Sequence, residues 1–225
     1  MNIARMIAGF AAVCSGLALT ACVSGPVPKS YAAMRAESPR SVLVVPALNS
    51  TVDVDAADYF VSTISRPVAE RGYYVFPAHM IKRMLEDEGL SDAGLVHGAD
   101  ASRLAPLFGC DTVLFVEIKR WDSQYIVIST STTVEFDYTL KSCRTGATLW
   151  SNTQAMTYSP QASNSGNPLA DLVVQAIVSA IEKAKPNYIP LTQQANLIAT
   201  ALPGQGLPAG PYSPQHGGDL SQFPN

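Results

Sequence analysis

The chain has 225 residues, enough for one ordinary domain with tails, and its 47% hydrophobic content excludes wholesale disorder. A formal charge of −3 gives it no basic face, which excludes nucleic acid as a partner. Four cysteines are too few for a disulfide scaffold, and the sixteen prolines and fifteen glycines crowd toward the C-terminus.

Residues 1–21 read as a lipoprotein signal peptide. Arg5 is the only charge ahead of an apolar run from Met6 to Leu19, which is too short to span a bilayer and suits a secretory segment. Leu19-Thr20-Ala21-Cys22 then resembles the bacterial lipobox. Small residues admit the peptidase, and only a thiol supplies the nucleophile for a diacylglyceryl thioether. Cys22 is therefore the expected lipidation site and mature N-terminus. Val23 and Ser24 follow it, and without Asp at the second position the resemblance implies sorting to the outer membrane. Two or three acyl chains, palmitate among them, anchor durably where one does not.

Residues 22–40 carry Gly25-Pro26, Pro28 and Pro39 with little periodicity, and read as a tether reaching roughly 60 Å when extended. The alternative is an arm docked through Tyr31 and Met34. Residues 41–186 form the expected domain. Ser41–Pro46 and Tyr73–Pro77 read as buried strands, and Asp53–Arg71 as a helix that Pro67 should kink or split. Helices follow at Met80–Leu85, ended by Gly89, and at Asp100–Phe108, capped by Asp100 and ended by Gly109. Thr112–Arg120 is the third strand, with a tight turn expected at Asp122-Ser123-Gln124. Tyr125–Ser142 and Ala147–Thr157 pair across Cys143–Gly146, with Val134, Phe136, Tyr138 and Leu140 on the core face. A helix from Asn167 to Ala184 closes the domain. The predicted class is α/β with a mixed sheet: a β-α-β-α-α-β parallel part, then antiparallel strands and a C-terminal packing helix. Residues 187–225 read as a Pro/Gly-rich tail that lies extended on the domain or moves freely, with a short helix at Thr192–Leu202.

Chemistry-bearing motifs are missing from the sequence. There is no Gly-x-Ser-x-Gly, no Cys-x-x-Cys, no His-x-x-x-His, and no glycine in the loop Ala47–Val52 after the first strand. The expectation is no enzyme, no metal, no cofactor and no nucleotide. The carboxyl ends of parallel strands bring Asn49, Ser50, His79, Lys119, Arg120 and Trp121 toward a candidate crevice for a small ligand or peptide. The plainer reading has Asn49 and Ser50 capping the following helix and the basic pair solvated. Cys110 and Cys143 are a candidate disulfide, with two buried free thiols as the alternative. The turn expected at Asp122–Gln124 sets Cys110 opposite Phe136, roughly 23 Å short of Cys143, so bonding requires a wide loop or a bulge.

Several runs resemble a family of bacterial lipoproteins known only as a domain of unknown function. They are Pro39–Pro46, Arg66–Pro77, Phe108-Gly109-Cys110-Asp111, Thr145-Gly146 with Leu149-Trp150, and Gly210-Pro211-Tyr212-Ser213-Pro214. The chain departs from that pattern at Cys143, where an acidic residue is more usual, and at Gln215-His216. The resemblance implies a fold like the amino-terminal domain of TolB and the periplasmic domain of CsgG, and a CsgG-like lipoprotein as partner. It carries no catalytic residues. The leading expectation is a non-enzymatic accessory protein of an envelope secretion or surface-assembly system. The alternatives are an outer-membrane activator of a cell-wall synthase and a small-ligand-binding periplasmic domain.

Overall fold

A computed structural model describes residues 29–126, 129–158 and 188–225. The signal peptide, Cys22 and the helix expected at Asn167–Ala184 lie outside the described residues.

Six strands form one mixed sheet in the order β3-β1-β4-β5-β6, with β2 also on β4. Strands β1 (Ser41–Val44), β2 (Leu48–Asn49) and β3 (Tyr74–Val75) run parallel to their neighbours. Strands β4 (Thr112–Ile126), β5 (Ser129–Ser142) and β6 (Thr148–Tyr158) form an antiparallel meander. The continuous apolar run in β1 reflects burial on both faces. Val42 and Val44 join a core with Phe60, Ile64 and Leu114, whereas Leu43 and Val45 join a second core with Ile81, Leu85 and Phe115.

The first core lies under α1 (Ala32–Glu37), α2 (Ala56–Glu70) and α6 (Ile189–Ala201). The second lies under α3 (Ala78–Asp87), α4 (Ala93–Gly98), a 3-10 turn (Ala101–Arg103) and α5 (Ala105–Phe108). Strand β5 alternates: Val134, Phe136, Tyr138 and Leu140 are buried, and Glu135, Asp137, Thr139 and Lys141 are partly exposed.

Helix α2 runs through Pro67 without splitting. The ring sits in the last turn, where it removes only the N–H bond to the carbonyl of Thr63, and it is buried there with Val68. Asp92 and Asp100 each cap the turn that follows, through Leu95 N–H and Ser102 N–H.

Three expectations need correction. The β4–β5 hairpin does not turn at Asp122–Gln124, because β4 continues to Ile126, which pairs with Ser129. A bulge between Ile118 and Arg120 shifts the register by one, so Thr112 faces Ser142. Cys110 and Cys143 thereby come to a Cα–Cα distance of 6.0 Å and are disulfide-bonded.

The expected tether is largely a docked arm. Tyr31 and Met34 are 0% and 1% exposed, Tyr31 N–H donates to Pro224 O, and Lys29 N–H to Gly204 O. Burying two such side chains contributes about 1.5–3 kcal/mol each.

The C-terminal segment is part of the core. Leu207, Ala209 and Phe223 are buried, and Phe223 meets Tyr31 edge-on with ring centroids 5.4 Å apart. Asp219, 5% exposed, receives Ala209 N–H and pairs with Arg35 at 3.2 Å and Arg71 at 3.7 Å. Gly210 N–H donates to Arg71 O, and a Cβ at Gly210 would strike the carbonyl of Gly72. The glycines that look like flexibility here serve close backbone approach.

Candidate functional site

The residues expected at one crevice divide among different duties. Asn49 locks the turn after β2: its Oδ1 accepts from Thr51 N–H and Thr51 Oγ1, and its Nδ2 donates to Asp53 O. Ser50 Oγ donates to Glu117 Oε1 at 2.7 Å, and Lys119 Nζ donates to the same oxygen at 3.0 Å. These bonds hold the Glu117 carboxyl below its usual range, Ser50 contributing first. Arg120 lies past the bulge, exposed, 3.9 Å from Glu135. Trp121 is 2% exposed and stacks on Tyr188 at 4.8 Å, so it is core. Of the set, His79 lines a cleft.

That cleft follows from the topology. Strand β1 exits toward α2 on one face of the sheet, and the adjacent β3 exits toward α3 on the other, leaving a hollow at their carboxyl ends. Its volume is about 520 Å³. Val44, Ala47, Ala57, Val61, Leu90 and Ala93 give it an apolar lining. Lys82 of α3 reaches Asp58 of α2 at 3.2 Å across the gap. The small side chains Ala57, Ser62 and Ser65 on α2 leave the hollow unfilled, and the crevice rule located the feature while misassigning most of its lining.

The three histidines remain separate. His97 Nε2 bonds Pro46 O at 3.0 Å, its ring lies edge-on to Phe115, and burial lowers its pKa. His216 Nδ1 bonds Ala209 O at 2.8 Å, fixed in the packed C-terminal segment. Among the described residues no group of three or more His, Cys, Asp or Glu is placed to hold a metal ion. Nor is any helix among them long and apolar enough to cross a membrane.

Sequence reasoning missed Lys29. Its Nζ donates to Ser151 O at 2.6 Å, Asn152 Oδ1 at 2.8 Å and Gln205 O at 3.1 Å, and it lies 5.5 Å from the centre of the Trp150 ring. Desolvation lowers its pKa to about 8. Lys29 thus pins the arm to the body, between β6 and the end of α6. A lysine in a Pro/Gly-rich stretch gives no sign of this, because its partners are 122 to 176 residues away.

A family model described as "Putative lipoprotein GNA1162-like" matches residues 29–211. A relative from Neisseria meningitidis serogroup B, "Putative lipoprotein NMB1124/NMB1162", is 34% identical over 177 residues, covering 78% of this chain and 80% of its own. The crystal structure of lipoprotein GNA1162 from Neisseria meningitidis superposes with a TM-score of 0.54 at 32% identity. The match covers 65% of this chain and all of that one.

Proposed function

This chain belongs to the GNA1162-like lipoprotein family, and on that premise we propose that it is a lipid-anchored, non-enzymatic interaction protein of the bacterial envelope. Acyl chains on Cys22 hold it at the outer membrane, where it serves as an accessory part of a secretion or surface-assembly system beside a CsgG-like lipoprotein. The lipobox Leu19-Thr20-Ala21-Cys22 supports the anchor, and Val23 rather than Asp directly after Cys22 supports the outer membrane. The family description names a lipoprotein and no reaction.

The docked arm carries the reading furthest. Lys29 is docked on the body, seven residues after Cys22, so the chain between them spans at most about 25 Å. The body is therefore held close to its own membrane, which favours a partner in or at that membrane. A cell-wall synthase activator would have to reach across the periplasm, and this leash is too short for that. Two measurements test the proposal. Native purification from detergent-solubilised outer membrane should recover a distinct envelope partner. Inserting ten flexible residues between Cys22 and Lys29 should weaken that recovery. Isolation as a lone chain under both conditions contradicts the reading.

A further inference from the structure

The sheet ends in two unlike edges. The β3 edge is two residues long and Pro77 follows closely, so it offers little to another strand. The β6 edge, Thr148–Tyr158, is eleven residues long and contains no charged residue and no proline. Native edges of that length are protected by charge, proline, a bulge or a covering element. Here the protection is partial. Lys29 Nζ occupies Ser151 O, and the irregularity in the β5–β6 pairing lies back at Leu140 and Lys141, beside the turn. From Thr153 to Thr157, β5 alone among the described residues makes backbone–backbone bonds to the strand.

The register shows which backbone groups are open. Thr153 Oγ1 donates to Asp137 Oδ1 at 2.6 Å, and the Thr133 and Thr157 hydroxyls lie 3.0 Å apart. Cross-strand side chains come this close where the paired residues turn their own N–H and C=O groups away from each other. The carbonyls agree: Ser151 O takes Lys29 Nζ, and Ala155 O takes Gln154 Nε2 in an exposed bond. Thr153, Ala155 and Thr157 therefore aim their N–H groups out of the sheet edge, and their side chains are exposed. Glu135 pairs opposite Ala155, and Asp137 opposite Thr153. The cations of that face, Lys119 and Arg120, stand on β4, a strand farther from the edge, Lys119 bonded to Glu117 and Arg120 3.9 Å from Glu135. A strand arriving at the edge meets the two acids first, across side chains no larger than threonine.

We propose that the β6 edge from Thr153 to Thr157 receives an extended segment of a protein partner, which adds a further strand to the sheet. Main-chain bonds to the outward groups hold it. Its side chains alternate, with lysine or arginine on the side of Glu135 and Asp137 and apolar residues on the other side, against the partly buried Met156. The incoming strand lies about 10 Å from β5, and a lysine laid over Ala155 closes that gap together with Glu135. A second copy of β6 brings no cation to this face and is the poorer fit. The proposal rests on the reading of the chain as an interaction protein and names its surface. Its test uses neither the acyl anchor nor the envelope, so the two can fail separately.

The experiment uses the full mature chain with Cys22→Ser, which leaves it unacylated, and the capped synthetic heptapeptide Thr-Val-Lys-Val-Lys-Val-Thr. In the protein alone, the amides of Thr153, Ala155 and Thr157 should exchange with deuterium at least about tenfold faster than those of Gln154 and Met156, which face β5. The peptide should slow the first set at least about tenfold and leave the second set unchanged. Ala155→Pro removes one outward N–H without touching the ladder to β5, and should weaken binding measured by calorimetry at least about tenfold. Ala155→Lys, at an exposed position, should do the same by closing the path to Glu135. A peptide with glutamate in place of both lysines should bind as weakly. Thermal midpoints equal to wild type show that each variant folds. Protection of the outer amides in the protein alone, by the chain itself or by a second copy at rising concentration, would overturn the proposal. So would binding indifferent to both substitutions, or no binding of the lysine peptide at millimolar concentration.

Discussion

Tyr138 Oη donates to Asn196 Oδ1 at 2.6 Å inside the core, and Asn196 Nδ2 donates to Thr63 Oγ1 at 2.9 Å. Tyr138 and Asn196 are 1% and 0% exposed, so this chain of bonds ties β5 to α6 and α6 to α2 without water. Asn196→Leu leaves the Tyr138 hydroxyl buried without an acceptor and should cost about 2–3 kcal/mol. Adding Tyr138→Phe should recover part of that loss. Urea denaturation of the two single variants and the double variant checks this, and strictly additive costs would contradict the coupling.

The Cys110–Cys143 bond closes a loop over a sequence separation of 33 and joins β4 to the β5–β6 turn. Reduction, or Cys110→Ser with Cys143→Ser, should lower stability by about 4 kcal/mol through the unfolded chain's regained freedom. Thermal melts with and without reductant measure it. Two thiols titrating in the native oxidised protein would contradict the bond.

Asp219 sits between Arg35 and Arg71, whose side chains are 19% and 16% exposed. Asp219→Ala removes the shared carboxylate and leaves both guanidinium groups largely dry, at a cost of about 3–5 kcal/mol. Limited proteolysis should then clip the segment after Leu202. Resistance equal to wild type would restore the reading of the C-terminus as a passive tail.

Burial raises the pKa of Tyr31 from 10.0 to about 12, and its hydroxyl has no bonding partner among the described residues. The folded state favours the neutral phenol. The stability this group contributes is complete below pH 10 and is lost as pH rises through the window from 10 to about 12. Tyr31→Phe should match or exceed wild-type stability at neutral pH, since it removes a buried unpaired hydroxyl, and should lose less across that window. Melting curves of the pair against pH decide it, and parallel curves would contradict the arm's burial.

The strands and helix stops were legible where their signals are local. The apolar run of β1, the stops at Gly89 and Gly109, and the alternation through Val134–Leu140 each follow from neighbouring residues. The hairpin register was not legible. Asp122-Ser123-Gln124 looks like a turn by composition, yet Thr132, Thr133 and Tyr158 supply partner strands that hold it extended. The C-terminal segment misled for a related reason: composition shows that Pro203–Pro211 cannot form a core of its own, and it is silent on a core supplied by Tyr31, Tyr73 and Trp150. The cleft was half legible, since topology places it and puts His79 beside it, whereas only the fold assigns Val61 and Leu90 to its walls.

The most direct measurement is intact-mass and N-terminal peptide mass spectrometry of the protein extracted from its native envelope, with Cys22→Ser as control. The account requires a mature chain beginning at Cys22, heavier by a diacylglyceryl group with further acylation at the amine, and absent from the control. A native chain that begins at Met1, or one with an unmodified Cys22 sulfur in the soluble fraction, would contradict it.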